Sequence, residues 1–376
     1  MSKISKISSH IYSSDYGNKN VFGQPKKVRS GVILEIISDT KHCGYGESYL
    51  SGYLPEISKS TLEYFSDMLI GKKIDDLEKL ILQLRIPFCS NSGFIKSITS
   101  AIEIALYDLK SRIDQKPLYE FLNKNYRNSV LGYASGGSVI YNEKEIIADA
   151  KIAKDKFNFY KMRVGYQNLT KDLNRIKAAV KIMGEDKVMI DAIMGTLNKW
   201  THKDLTKILP KLDKINLKWI EEPIHPSNYI DYQLIKKKSK NKIAIGEAYT
   251  SFQEFKTIIE NNCCDIIQPD VTQCGIIDTI KICKYAKKKK KKIALHVWGS
   301  PLSLIINLHF ALAFREVDFI EFPLVRLKIF KEILDKNIQI NLGRISSKTQ
   351  KNGIGFILEK NYLKKYKFIK KSGFSI

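Results

Sequence analysis

The chain has 376 residues, 44% of them apolar, with 63 Lys and Arg against 39 Asp and Glu and a formal net charge of +24. That length suits two compact units, or one large barrel with an attachment, and the apolar share is enough for a sizeable core. No apolar run approaches the roughly 18–20 residues of a membrane span, and the start, Met1 to Lys6, lacks the apolar segment of a secretory signal, so no membrane role and a cytoplasmic location are expected.

In chain order, residues 1–127 read as an α+β capping domain. Ser30 to Ser38 alternates like a strand, and Thr40 to Glu47 is a turn into another. Helices are predicted at Pro55 to Leu69 and Ile95 to Arg112. From residue 128 the pattern changes to short β-rich runs that end on a polar residue. These are Val130 to Ser135, Phe157 to Arg163, Val188 to Asp191, Leu217 to Glu221, Ile243 to Glu247, Asp265 to Asp270, Ile293 to His296 and Asp318 to Glu321. From Arg163 onward their ends lie 28, 30, 26, 23, 26 and 25 residues apart, the length of one strand, one helix and two loops. Helical segments such as Lys171 to Met183, Asp204 to Leu212, Phe252 to Asn261 and Ile277 to Lys288 fill the gaps. Eight such units over roughly 200–250 residues predict a closed parallel barrel across 128–344. A doubly wound open sheet would more often carry a glycine-rich first turn, and none is present. The tail, 345–376, has its own glycine turn (Gly353 to Gly355) and a helix, and is expected to pack back on the cap.

The lysines are spread along the whole chain among isoleucines, a biased composition rather than a nucleic-acid patch. The run Lys287 to Lys292 follows a helical pattern and is expected to solvate a helix end. The six cysteines show no zinc-type spacing and read as reduced thiols.

Active sites of β/α barrels lie at the C-terminal strand ends. Those positions hold Lys161, Arg163, Asp191, Glu221, Glu247, Asp270, His296 and Glu321. Asp191, Glu221 and Glu247 end successive strands and would repel one another without a cation. Their hard oxygens suit Mg2+, and the absence of Cys or His among them argues against zinc. A ring of structural salt bridges to Lys and Arg is the alternative. His296 is a general base for neutral pH, with Asp270 placed to orient its ring. Lys161 and Arg163 alternate on one strand, face the same side, and can neutralise a substrate carboxylate and an enolate. Glu321 can donate a proton or hydrogen bond if burial raises its pKa. Together these residues suit removal of a proton α to a carboxylate through an Mg2+-stabilised enediolate.

At this point the chain resembles the enolase superfamily, in its mandelate racemase and muconate lactonizing enzyme family. Gly31 to Ile36 with Gly44 to Glu47, and Ser100 to Lys110, are similar to the family's N-terminal domain. Tyr160 to Gly165, Met189 to Asp191, Trp219 to Pro223, Ile245 to Glu247, Ile267 to Asp270 and His296 to Ser300 are similar to its successive barrel motifs. The resemblance implies a (β/α)7β TIM-like barrel, since such enzymes usually replace the last helix, with an N-terminal cap completed by the C-terminal tail. It implies Asp191, Glu221 and Glu247 as Mg2+ ligands, the Asp270–His296 pair as an acid/base arm of the mandelate racemase-like subgroup, and Glu321 as the residue that bonds the intermediate. It also implies that the loops around Tyr16 to Gln24 and Tyr49 to Tyr53 close over a small carboxylate-bearing substrate, and that the protein is a homo-oligomer.

Two departures matter. The family's Lys-x-Lys is here Lys161-Met162-Arg163, and arginine is a charge clamp rather than a base. Where Asp-x-Asn is common, Ile193 follows Asp191-Ala192. Racemisation needs two bases, so the expected activity is Mg2+-dependent dehydration of an acid sugar or related hydroxy acid. A cycloisomerase or lactone-opening enzyme is the nearest alternative and an epimerase a further one; a non-catalytic binder is disfavoured.

Overall fold

Side chains that alternate between two faces put this chain into two sheets. The computed structural model describes every residue except 1, 17–25, 167, 199, 325, 326, 349–351, 375 and 376. In the cap, β1 (Ile4–Asp15), β2 (Val28–Ser38) and β3 (Cys43–Glu47) form an antiparallel sheet in that order. The long helix Gly93–Ile113 lies on it, burying Ile98, Ile102 and Leu106 against Val32, Leu34 and Ile36. Gly44 and Gly46 let it approach, since a Cβ on either would collide with the carbonyl oxygen of Ala105 or Ala101.

The barrel strands are β4 (Val130–Gly136), β5 (Tyr160–Arg163), β6 (Val188–Asp191), β7 (Trp219–Glu221), β8 (Ile243–Ile245), β9 (Ile266–Ile267), β10 (Lys292–Leu295) and β11 (Phe319–Pro323). Each pairs in parallel with the next, and β11 pairs back with β4 through Ile320↔Gly132 and Glu321↔Tyr133, which closes the barrel. Helices connect the strands, among them Glu143–Lys154, Leu169–Met183, Val271–Lys288 and Pro301–Ala313. After β11 the chain forms helix Lys328–Asn337 and the hairpin β12 (Ile338–Asn341) and β13 (Arg344–Ser347). β13 runs antiparallel to the start of β4, with Ile345 opposite Val130. The architecture is therefore a (β/α)7β barrel with an N-terminal cap.

Period-two alternation layers the barrel interior. Tyr133, Met189, Trp219, Ala244, Ile266 and Ala294 make a buried apolar floor. Two residues further along β4, β6, β7, β9 and β10 come Ser135, Asp191, Glu221, Gln268 and His296, which form the polar layer above it. The cap sits over this mouth. Ser100 Oγ donates to the carbonyl of Thr272 at 2.8 Å, and Glu103 accepts from the Ile277 N–H at 2.7 Å. The tail returns to the cap: the Ile369 N–H donates to Ser13 Oγ at 3.0 Å, and the Phe374 N–H to the Gly52 carbonyl at 3.0 Å. The lysine run ends helix Val271–Lys288 in solvent, where cations suit the carbonyl end of a helix. Among the described residues no helix is long and apolar enough to cross a membrane.

Candidate active site

All eight ionisable residues singled out from the sequence stand at the cap-facing ends of the barrel strands. One oxygen from each of Asp191, Glu221 and Glu247 lies within 4.8 Å of the others. Burial pushes the Glu221 and Glu247 carboxyls up, and their acidic neighbours push them further. A divalent cation relieves that strain, so the donor set fits Mg2+. Glu221 is held from below, where Trp219 Nε1 donates to its Oε2 at 3.1 Å and Gln268 Nε2 at 2.7 Å. Glu222 lies behind it, buried among these acids, and its carboxyl is pushed up to about 8.

Lys161 is fully buried with its Nζ 2.5 Å from Glu221, 3.0 Å from Glu321 and 3.6 Å from Asp191. Burial alone would strip its proton, but these carboxylates outweigh it and raise the ammonium pKa. Glu321 behaves differently from the sequence expectation. Burial favours its neutral form, yet Lys161, His296 and Arg163 prevail and hold it down at about 2. It is an acceptor, taking the Val297 N–H at 3.1 Å, not an acid.

Arg163 donates from Nη1 to the Gly136 carbonyl at 2.7 Å and from Nη2 to Ser135 Oγ at 3.2 Å. Its Nε is 3.9 Å from Asp191, and its guanidinium packs 4.0 Å from the Trp298 ring centre. Burial would lower its pKa, but Asp191, Glu321 and Glu247 raise it further, so it keeps its charge. Ile193 is half-buried beside this set and contributes only its backbone N–H, which donates to Asp191 at 2.8 Å.

On the other flank, His296 Nδ1 donates to Asp270 Oδ2 at 3.0 Å, which leaves Nε2 facing Glu247 Oε2 at 3.5 Å. Burial lowers the imidazolium pKa, but Asp270, Glu247 and Glu321 outweigh it and hold it up at about 9. Asp270 is fixed in turn by the Thr272 N–H at 2.8 Å, Thr272 Oγ1 at 2.7 Å and Asn307 Nδ2 at 2.9 Å. From the cap, the Tyr49 ring meets the imidazole edge-on at 5.1 Å between centres. Asn307 reaches Asp270 from another helix, a contact no local pattern reveals, whereas Thr272 binds it from two residues along the chain, where Asp270 caps the following helix. Of the two loops expected to close over a substrate, Tyr49–Gly52 is a short 3-10 turn over the mouth, while residues 17–24 lie outside the described residues.

A family model described as enolase C-terminal domain-like matches residues 145–361, and one for the mandelate racemase / muconate lactonizing enzyme N-terminal domain matches 25–123. The chain is 26% identical over 333 residues to L-talarate/galactarate dehydratase of Salmonella typhimurium, covering 87% of this chain and 80% of that one. It is 28% identical over 348 residues to arabinonate dehydratase of Saccharolobus solfataricus, covering 89% and 90%. In fold it is similar to L-talarate dehydratase from Polaromonas sp. JS666, complexed with Mg and L-glucarate, with a TM-score of 0.81 at 23% identity over 97% of each chain.

Proposed function

The chain belongs to the enolase superfamily, in its mandelate racemase/muconate lactonizing enzyme family, and from that membership we propose that it is an Mg2+-dependent dehydratase of an acid sugar or related hydroxy acid. The two dehydratase relatives support the reaction class. The observation that carries the reading is the setting of His296, its ring held by Asp270 at 3.0 Å and its Nε2 turned toward the carboxylate trio.

Asp191, Glu221 and Glu247 would hold the ion, which when bound supplies positive charge to the substrate carboxylate and lowers the cost of an enediolate. His296 Nε2 takes the α-proton in its unprotonated form, which a cation held by Glu247 would favour by offsetting that carboxylate's pull on the ring, while Asp270 keeps Nδ1 protonated and the ring oriented. Lys161 and Arg163 set fixed positive charge against the developing enediolate, and Glu321 keeps Lys161 in place. His296 then returns its proton to the β-hydroxyl, which leaves as water, and the enol becomes a 2-keto acid.

Ring opening by a cycloisomerase uses the same first step. It is the second reading because Ile193 brings no polar side chain to the pocket beside Asp191, which suits a less polar substrate. We also propose the units 1–127, 128–344 and 345–376, a cytoplasmic location and a homo-oligomer.

The test is a panel of acid sugars, lactones and hydroxyproline-type acids with the Mg2+-loaded protein. A 2-keto acid trapped with semicarbazide, stopped by EDTA and restored by Mg2+, is the expected result. Consumption of a lactone without a keto acid selects the second reading, and turnover indifferent to EDTA contradicts the metal site.

A further inference from the structure

Arg163 is held by its edge and by its face, and the two holds come from different parts of the barrel. Among the described residues its hydrogen bonds run to the first barrel strand, from Nη1 to the Gly136 carbonyl and from Nη2 to Ser135 Oγ. No carboxylate bonds it directly: Asp191 is 3.9 Å from Nε and Glu321 is 4.0 Å from Nη2. Bonds to the rim of a guanidinium fix its edge and leave its plane free to tilt. The flat face is covered by Trp298, whose ring centre lies 4.0 Å from the guanidinium carbon. That is a stacking distance, and a guanidinium, planar and more weakly hydrated than an ammonium, stacks well on an indole.

Trp298 is placed for this contact. It follows β10, three strands round the barrel from Arg163, in the stretch that also carries His296. The Val297 N–H is tied to Glu321 at 3.1 Å, and Ser300 Oγ caps helix Pro301–Ala313 through the Ser303 N–H at 3.0 Å, so the backbone on both sides of Trp298 is fixed. The indole is half-buried at the mouth, unlike Tyr133 and Trp219 of the barrel floor, which are wholly buried. Core packing therefore does not require it there. What it separates is Arg163 from the water of the mouth, where the arginine side chain is itself 13% exposed. Without the ring, the guanidinium face meets water and the long side chain can swing outward, away from Asp191. A charge that can move stabilises a developing enediolate less than one already in place.

We propose that Trp298 is a positioning residue: by stacking on Arg163 it fixes the guanidinium beside Asp191, so that the charge is in place before the α-proton leaves. This rests on the functional reading above and adds to it a residue that acts on the chemical step through Arg163, without touching the reacting atoms.

Two measurements test it, one of position and one of rate. In protein labelled with 15N-arginine, the Arg163 side-chain N–H signals, identified by their loss in R163M, should stand upfield under the ring current of the indole. W298L should shift them back and W298F should keep most of the displacement; signals that W298L leaves in place overturn the inference. With an acid that the Mg2+-loaded enzyme turns over, W298L should lower kcat about tenfold and leave KM within about twofold. W298F should restore most of kcat, and adding W298L to R163M should cost less than about twofold further, because the two residues act as one unit. A raised KM with kcat intact, or a loss that W298L adds in full to R163M, would make Trp298 a wall against the substrate and overturn the inference. Both variants should melt near the wild type because the indole is half-buried; if W298L does not fold, W298M, which fills the space without an aromatic face, takes its place in both measurements. A wild type that exchanges the α-proton of no acid in D2O overturns the functional reading, while the arginine signals still decide whether Trp298 holds Arg163.

Discussion

The two flanks of the carboxylate trio differ in what they can do with a proton. On the seventh-strand side, a titratable imidazole is held by Asp270, itself fixed by Thr272 and Asn307. On the second-strand side, Lys161 and Arg163 are buried cations whose carboxylate neighbours strengthen their hold on their protons. One flank moves a proton and the other holds charge. Elimination, in which the abstracted proton can leave with the hydroxyl on the same side, needs only that.

The largest way to break the comparison is to disable the moving flank. H296N should lower 2-keto acid formation by about 10^4-fold, the upper end of what a general base contributes, read in steady-state kinetics. Turnover within about tenfold of wild type would mean that the base stands elsewhere. The seam behind that flank is proton-sensitive as well. Burial pushes the Glu47 carboxyl up to about 7, with Ser300, Tyr12 and Arg29 only partly offsetting it. The folded state therefore keeps a proton that the unfolded chain releases above its ordinary pKa. The contribution to stability is complete below about 4.5 and is lost as pH rises through about 7, a change of about 3 kcal/mol. E47Q should flatten this part of the stability curve in urea melts at pH 4.5 to 7.5; an unchanged slope would show that Glu47 is ionised throughout.

The charge-holding flank should respond differently. R163M should reduce kcat/KM by about 100-fold, as removal of an electrostatic stabiliser does, without creating or abolishing epimerisation. The smallest expected effect belongs to the support of the base. N307A frees one lone pair of Asp270 and should cost about tenfold in kcat, with a shifted pH profile that a purely structural lesion would not produce.

Much of this site was legible because strands alternate. Each strand-end residue is fixed by its distance from an apolar run, so Asp191, Glu221, Glu247, Asp270 and His296 could be placed from spacing. β1 was not read, because its serines and Lys6 blur the alternation in a strand that buries few residues outright. Arg29 follows Lys26, Lys27 and Val28 and looks like one more surface cation; its burial exists only once the cap meets the barrel. The ionised state of Glu321 was missed for a related reason. Burial argued for a neutral acid, but the ammonium of Lys161 stands 3.0 Å away, a distance between strands that no local pattern reveals.

The one-sided chemistry is tested most directly by incubating the Mg2+-loaded enzyme with its turned-over acid in D2O and following the α-carbon by NMR. The account predicts His296-dependent loss of the α-proton with no epimer of the remaining substrate. An epimer accumulating in the wild type, or exchange persisting in H296N, would show a second base on the lysine–arginine flank and contradict it.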